Sequence, residues 1–162
     1  MQEKIKSVSG KQAVLDEFFR IIDEAESYIF IIMEYFGAKW GDERMMREYY
    51  YPNFKKKLEN SDKRGVDIRI IGGNLEITRK FEEIISEFPG EKRSLNYGGQ
   101  EYDPIRFIVS DDHFCLLVTS KPYTEDLVHY NSLIFDNREI SLHFKDYFLD
   151  LWNISRKWSE AV

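Results

Sequence analysis

Apolar and polar side chains along this chain of 162 residues alternate between helical and extended periods. Apolar residues recur at intervals of three and four over positions 14–25, which predicts an amphipathic helix. The pair Ser9 and Gln12 matches a capping box, so we expect this helix to begin at Ser9. The unbroken apolar run Tyr28–Met33 that follows predicts a buried strand.

The next part of the pattern predicts further helices around a second strand. Asp42 can cap a helix, and Pro52 predicts a break or kink in it, with a second helical piece reaching about residue 60. Gly65 ends that piece and leads into a strand over residues 67–71. Apolar positions at helical spacing over residues 77–88 then predict the next helix.

At the centre of the chain lies a pair of short apolar runs, residues 105–109 and Phe114–Val118. A short polar segment that includes Asp111 and Asp112 separates them, and this arrangement predicts a β-hairpin. Short carboxylates suit such a turn because they hydrogen-bond nearby backbone amides. Both runs are apolar at nearly every position, so we expect central strands that are covered on both faces.

The pattern closes with a strand over residues 131–135 and a helix that Asp136 and Asn137 cap, with Phe144 and Trp152 on its apolar face. Strands that alternate with helices predict an α/β fold. Because the two runs of the hairpin are antiparallel, we expect a mixed sheet with helices on both faces. The length fits one domain, residues 1–162.

Composition indicates a soluble globular protein, with 43% hydrophobic and 32% charged residues. No apolar run approaches the ~20 residues of a membrane-spanning helix, and the N-terminus does not have the pattern of a signal peptide. The single cysteine, Cys115, lies in an apolar strand, which favours a buried and inert thiol. We therefore expect a cytoplasmic protein that has no membrane partner.

The formal net charge of −6 argues against broad binding to nucleic acid, because such binding neutralises phosphates. A basic patch at Lys55, Lys56, Lys57 and Arg64 keeps nucleic-acid binding open as an alternative, and a solvated helix face explains the same charges. The sequence has no Walker loop, dinucleotide fingerprint or metal-ligand spacing. We therefore expect no cofactor and no metal.

The spacing in the hairpin resembles the active-site motif of the phospholipase D superfamily. That motif is His-x-Lys, then an Asp five residues after the Lys, then Gly-Ser seven residues beyond the Asp. With Asp111 at the Asp position, Arg106 stands at the Lys position and Pro104 at the His position. Val118 and Thr119 then stand for the Gly-Ser pair.

The segments on either side of the hairpin are also similar to that family. Residues 64–71 match the Arg-Gly-Val-x-Val-Arg-Ile-Leu strand that follows its second helix, and residues 131–152 match its closing strand and helix. The resemblance spans about residues 12–152. It implies a phospholipase D-like fold.

In the resembled family, one His attacks a phosphodiester and forms a phospho-histidine, and a second His, from a second motif copy, protonates the leaving oxygen. The Lys residues neutralise the phosphate oxygens, and the Asp orients the opposite His. This chain carries one motif copy, so the resemblance implies a homodimer. Pro104 has no side-chain nitrogen, which excludes covalent catalysis by this route in this alignment. We therefore predict no catalytic residue.

The candidate ligand-binding residues are centred on Arg106, which retains a two-pronged contact to a phosphate or carboxylate. An outward-pointing side chain, or an internal ion pair with a carboxylate such as Glu34, is the alternative interpretation of Arg106. The full candidate set is Glu34, Arg106, Asp111, Thr119, His129 and Asn131.

Three functional hypotheses follow. The first is a non-catalytic phospholipase D-like domain for sensing an anionic ligand or for protein association, similar to effector or output domains of prokaryotic transcription regulators. The second is a phosphodiesterase or nuclease that acts as a homodimer with a rearranged site using His129 or His113. The third is a nucleic-acid-binding module.

Overall fold

A computed structural model describes residues 4–33, 46–72, 86–95, 105–119 and 131–157. The strands in these segments are β1 (Lys4–Ser9), β2 (Tyr28–Met33), β3 (Asp67–Gly72), β4 (Glu91–Ser94), β5 (Phe107–Ser110), β6 (Phe114–Val118), β7 (Asn131–Asp136) and β8 (Arg156–Lys157). The helices are α1 (Lys11–Glu24), α2 (Tyr51–Lys63) and α3 (Arg138–Ile154), and a π-helical turn, Met46–Tyr50, precedes α2.

The strands form one mixed sheet in the order β1-β7-β6-β5-β2-β3-β4-β8. β2 runs parallel to β3 and antiparallel to β5, and β5 forms an antiparallel hairpin with β6. The hairpin therefore lies inside the sheet, as its two apolar runs predict.

Helices cover both faces of the sheet. α1 and α2 cover one face, called the α1 face, and α3 covers the other, called the α3 face. Alternate residues of β2 serve the two faces: Ile29 and Ile31 pack under α1 and α2, whereas Phe30 and Ile32 pack with residues of α3. The predicted α/β fold with a mixed sheet and helices on both faces is confirmed.

The start of α1 differs from the prediction. Its N-cap is Gly10, which has a φ of 92°, and no side chain caps the helix. Gln12 instead accepts a hydrogen bond from the Tyr50 hydroxyl. The predicted capping box is wrong because Ser9 belongs to β1, where it pairs with Asn131 of β7.

The second helical piece predicted at Pro52 is α2, which begins at Tyr51 and ends at Lys63. Pro52 lies in the first turn of α2, where a missing backbone N–H removes no intrahelical hydrogen bond. The helix changes type directly before it, from the π-helical turn Met46–Tyr50 to the α-helix Tyr51–Lys63. Gly65, with a φ of 83°, follows the end of the helix as predicted.

The closing helix begins as predicted, because the side-chain oxygen of Asn137 accepts the backbone N–H of Ile140 at 2.9 Å. The sequence pattern does not predict β1 and β8. Most of β1 is exposed, with only Val8 buried, and β8 has two residues. Asp42 and most of the helix predicted over residues 77–88 lie outside the described residues.

Candidate functional site

The sheet has two ends that differ in chemistry. β2 ends at Met33 and β3 at Gly72, and β5 begins beside them, at what we call the Arg106 end. The turn between β5 and β6 lies at the opposite end, called the Asp111 end. Five steps of extended chain at ~3.3 Å each separate Arg106 from Asp111, or roughly 16 Å. These two candidate residues therefore do not share a site.

Arg106 is buried and lies directly before β5, one of the two central strands in the order of the sheet. Only 7% of its surface is exposed, and its carbonyl oxygen accepts the Val118 N–H at 3.0 Å. Extending the pairing of β2 with β5 by one residue places Arg106 beside Met33. Because the adjacent Phe107 packs on the α3 face, strand alternation directs Arg106 to the α1 face. Arg106 therefore has two buried apolar residues, Met33 and Val118, as its neighbours on the adjacent strands.

Thr119 and Asn131 lie at the same end of the sheet as Arg106. The Thr119 N–H donates to the Asn131 carbonyl oxygen at 3.0 Å. Val118 packs on the α1 face, so alternation directs Thr119 and its partner Asn131 to the α3 face. The structure therefore brings these three candidates to one end but divides them between two faces.

A residue that the motif does not include, Ser132, shares a row with Arg106. The pairing registers place Val8, Ser132, Val118 and Arg106 side by side on four neighbouring strands. Ser132 is 1% exposed, and its hydroxyl has no hydrogen-bond partner among the described residues. Only the register of the sheet reveals this neighbour, because Ser132 is distant from Arg106 in the sequence.

Both α1 and α2 begin at the Arg106 end. The Tyr50 hydroxyl donates to the Gln12 side-chain oxygen and ties the two beginnings together, and Lys11 Nζ lies 5.3 Å from the centre of the Tyr50 ring. The first turn of α1 has no acidic residue, so the positive end of its helix dipole is not neutralised there. Tyr49 and Ile105 expose 52% and 51% of their surfaces at this end.

Asp111 joins the hairpin turn to the start of β2. Its carboxylate accepts the backbone N–H groups of Glu26 at 2.8 Å, Ser27 at 2.8 Å and Tyr28 at 3.2 Å, and the Ser27 hydroxyl at 2.8 Å. Burial alone would raise the pKa of the Asp111 carboxyl, but these hydrogen bonds hold it below its ordinary value. Backbone amides therefore surround this carboxylate, and its predicted role in binding a ligand stays a prediction.

The other polar side chains of the turn are also engaged at the Asp111 end. The Tyr28 hydroxyl donates to Asp112 Oδ1 at 2.8 Å, and Lys145 Nζ lies 3.1 Å from the same oxygen. His113 Nε2 lies 3.0 Å from a carboxylate oxygen of β7. Because His113 lies at the far end of the sheet, it cannot act on a ligand bound beside Arg106.

Three residues of the predicted basic patch contact other parts of the chain. Lys55 Nζ lies 3.2 Å from a carboxylate oxygen of Glu87, and Lys57 pairs with Asp23 of α1. Arg64 donates to backbone carbonyl oxygens at the end of α1 and directly after it. The contacts of Lys57 and Arg64 hold α2 against α1, and the contact of Lys55 links α2 to the segment before β4.

The remaining predictions divide between the described and undescribed parts of the chain. Glu34, Pro104 and His129 lie outside the described residues. Within the described segments, no group of three His, Cys, Asp or Glu side chains is arranged to hold a metal ion, and no helix is long and apolar enough to cross a membrane. Cys115 is buried, and burial raises the pKa of its thiol above the ordinary value.

Comparison with known proteins identifies the fold. No protein-family model matches the sequence, and no curated protein matches it. Solved structures match nearly the whole chain. NucT from Helicobacter pylori superposes with a TM-score of 0.67 at 13% identity, over 96% of this chain and 99% of NucT. Nuc from Salmonella typhimurium, a phospholipase D family member, gives a TM-score of 0.63 at 17% identity, over 96% of this chain and 98% of Nuc.

A third similar structure belongs to a longer protein. TrmBL2, an archaeal chromatin protein with a novel mode of DNA binding, gives a TM-score of 0.64 at 14% identity. The match covers 95% of this chain but only 54% of TrmBL2, so this chain spans about half the length of that protein. Identities this low establish the fold alone. The chain has a phospholipase D-like α/β fold, which confirms the resemblance found in the sequence.

Proposed function

We propose that this chain is a non-catalytic phospholipase D-like domain that binds a phosphate-type anion at the Arg106 end of its sheet. Binding would serve ligand sensing or protein association. The observation that best supports the proposal is Arg106 itself, a buried cation at the position where the family motif has a Lys.

The burial of Arg106 favours an anion beside it. A buried guanidinium is stabilised by an opposite charge and hydrogen bonds beside it, and its strand neighbours Met33 and Val118 are apolar. A guanidinium binds phosphate through two parallel N–H bonds, and the first turn of α1 adds a favourable dipole. An internal carboxylate such as Glu34 can meet the same need. The proposal is that a ligand competes for this position.

The arrangement of histidines supports the absence of catalysis. The motif position of the nucleophile is Pro104, and a proline has no side-chain nitrogen to attack a phosphodiester. His113 lies at the Asp111 end of the sheet. The alternative of a rearranged phosphodiesterase therefore depends on His129.

Calorimetric titration with inorganic phosphate tests the site. The wild type should bind and Arg106→Met should lose binding, and circular dichroism checks that the variant is folded. Arg106→Lys should bind more weakly than the wild type, because it offers a point charge instead of a planar fork. Equal binding by Arg106→Met and the wild type would exclude this site.

A hydrolysis assay with bis-p-nitrophenyl phosphate tests the absence of catalysis. The wild type should not release nitrophenol, with or without divalent metal ions. Release that Arg106→Met abolishes would make the protein an enzyme of the resembled family. Release that His129→Ala abolishes would favour the rearranged phosphodiesterase.

We also propose a homodimer that forms at the Arg106 end. Tyr49 and Ile105, both half-exposed, supply apolar surface there, and the resemblance implies two motif copies facing each other. Sedimentation analysis should show a dimer that Ile105→Glu dissociates. Ile5→Glu is the matched control, because Ile5 is 62% exposed but lies on β1 towards the Asp111 end. A monomeric wild type would contradict this assembly.

Nucleic-acid binding is a second candidate because one structural neighbour, TrmBL2, is described as binding DNA. The net charge of −6 and the intrachain contacts of Lys55, Lys57 and Arg64 weigh against it. A gel-shift assay with duplex DNA at low salt distinguishes the two. A shift that weakens steeply with added salt would favour nucleic acid, and no shift would favour the anion site.

A further inference from the structure

Ser132 is a buried hydroxyl whose position is not explained by packing. It lies between Val8 and Val118, in the row of residues that also contains Arg106, on the α1 face of the sheet. It is 1% exposed, and no described residue forms a hydrogen bond with its Oγ. A buried hydroxyl without a partner is destabilising compared with alanine. Ser132 shares this property with Ser110 and differs from it in lying in the same row as Arg106.

The first turn of α1 lies next to this row. Gly10, the N-cap, follows β1 directly, and Val14 packs in the same core as Val8 and Val118. The backbone N–H groups of residues 11–13 precede the first intrahelical bond, which Val14 donates to the Gly10 carbonyl oxygen at 3.0 Å. Such donors point along the helix axis, here towards the Arg106 end. Gly10, as the N-cap, has no side chain that could cap them.

We propose that Ser132, the first turn of α1 and Arg106 bind one phosphate group above Val118. The inference rests on the proposed anion binding at Arg106 and adds the residues that complete that site. Two strand spacings of about 4.8 Å put the Cα atoms of Arg106 and Ser132 about 10 Å apart. An arginine side chain covers much of this distance, so its guanidinium and the serine hydroxyl can contact the same tetrahedral anion.

The set of donors indicates the class of ligand. Three donor groups approach from three directions: a guanidinium, a hydroxyl and a helix start. A phosphate monoester or inorganic phosphate offers three terminal oxygens and close to two negative charges. A diester offers two terminal oxygens and one charge. The site therefore fits a monoester or free phosphate better than the diesters on which the resembled family acts.

Calorimetric titration of the full chain with inorganic phosphate, glycerol 3-phosphate and dimethyl phosphate tests both parts of the proposal. Dimethyl phosphate should bind at least about tenfold more weakly than inorganic phosphate, since it loses one charge-assisted hydrogen bond. Comparing the first two probes shows whether the ligand is free phosphate or an ester. Ser132→Ala should weaken phosphate binding at least about tenfold.

Ser110→Ala is the matched control for Ser132→Ala. Ser110 is also 1% exposed with no described partner for its Oγ, but it lies at the Asp111 end of the same sheet. Its substitution should leave phosphate affinity unchanged. Neither alanine variant should lower the thermal unfolding midpoint, because each removes an unsatisfied buried hydroxyl.

Amide NMR provides an independent measurement. Phosphate should shift the amide signals of residues 11–13 in the wild type and in Ser110→Ala. If Ser132→Ala binds phosphate like the wild type while Arg106→Met does not, the anion site stands and the role of Ser132 is wrong. If the wild type binds no phosphate, both proposals fail.

Discussion

Removal of the Asp111 carboxylate should loosen the junction between the hairpin turn and the start of β2. This carboxylate accepts four hydrogen bonds, three of them from the consecutive backbone amides of residues 26–28. Asp111→Gly is the most informative change. Asp111 has a φ of 56°, which glycine adopts without strain, so the variant removes the bonds and leaves the turn geometry intact.

The expected cost follows from the number and exposure of these bonds. A hydrogen bond to a charged group contributes about 1.5–3 kcal/mol when it is well shielded. The donors of Glu26 and Ser27 are exposed, so water replaces part of each lost bond. At about 0.5–1 kcal/mol for each of four bonds, Asp111→Gly should lower the free energy of unfolding by about 2–4 kcal/mol. The unfolding midpoint should fall by roughly 5–15 °C.

The effect should also depend on pH. The hydrogen bonds hold the pKa of Asp111 in the folded state below its ordinary value of 3.8. Stabilisation by such a carboxylate is complete above the unfolded-state pKa and is lost as the pH falls through the folded-state pKa. The difference in unfolding free energy between the wild type and Asp111→Gly should therefore be full at about pH 7 and shrink below about pH 4.

Urea denaturation followed by tryptophan fluorescence at both pH values measures this difference. Asp112→Gly is the control, because Asp112 has a φ of 54° in the same turn but its carboxylate bonds two side chains, Tyr28 and Lys145, instead of three backbone amides. It should cost less than Asp111→Gly. A cost below about 0.5 kcal/mol for Asp111→Gly, or one that does not change with pH, would refute the reasoning.

Substitutions at three further residues, and the reactivity of a fourth, test other contacts. Asn137→Ala should cost about 1 kcal/mol because Asn137 caps α3, and Asn137→Ser should recover most of it in urea denaturation. Gly65→Ala should cost about 1–2 kcal/mol for its φ of 83°. Gly90→Ala should cost more, because a Cβ would clash with the Ile68 carbonyl oxygen, and equal costs would contradict this. Cys115 should react with Ellman's reagent only after unfolding, and reaction in native buffer would show that its thiol is accessible.

The hydrophobic pattern was sufficient to predict the bounds of a strand that is buried on both faces. The bounds of β2 agree with the prediction to the residue, because every position of Tyr28–Met33 is buried and hence apolar. β1 lies at the edge of the sheet and buries only Val8, so its sequence carries no alternating signal. The prediction of a strand from sequence therefore depended on how many of its faces the fold covers.

Tertiary contacts overrode one local signal. Ser9 and Gln12 have the spacing of a capping box, but β7 pairs with Ser9 and Tyr50 bonds Gln12, so neither is available to the start of α1. The sequence supplied residue types that suit a cap, and neighbouring elements decided their use.

The sequence predicted only those residues of the candidate site that belong to the motif. The motif spacing identifies Arg106 as a candidate, and Arg106 is buried in the structure. Ser132 has no place in the motif, and only the pairing of β6 with β7 brings it into the same row. The donors to Asp111 come from the connection between α1 and β2, which no local pattern links to the hairpin.

Asp111, the one motif residue that this chain keeps unchanged, supports the turn of the hairpin. The four residues of β5 separate it from Arg106, so the two lie at opposite ends of the sheet. Its carboxylate bonds the chain that enters β2, far from a ligand at the Arg106 end. We therefore expect substitutions at the two positions to have different effects. Changes at Asp111 should lower stability and spare phosphate affinity, whereas Arg106→Met should abolish phosphate binding.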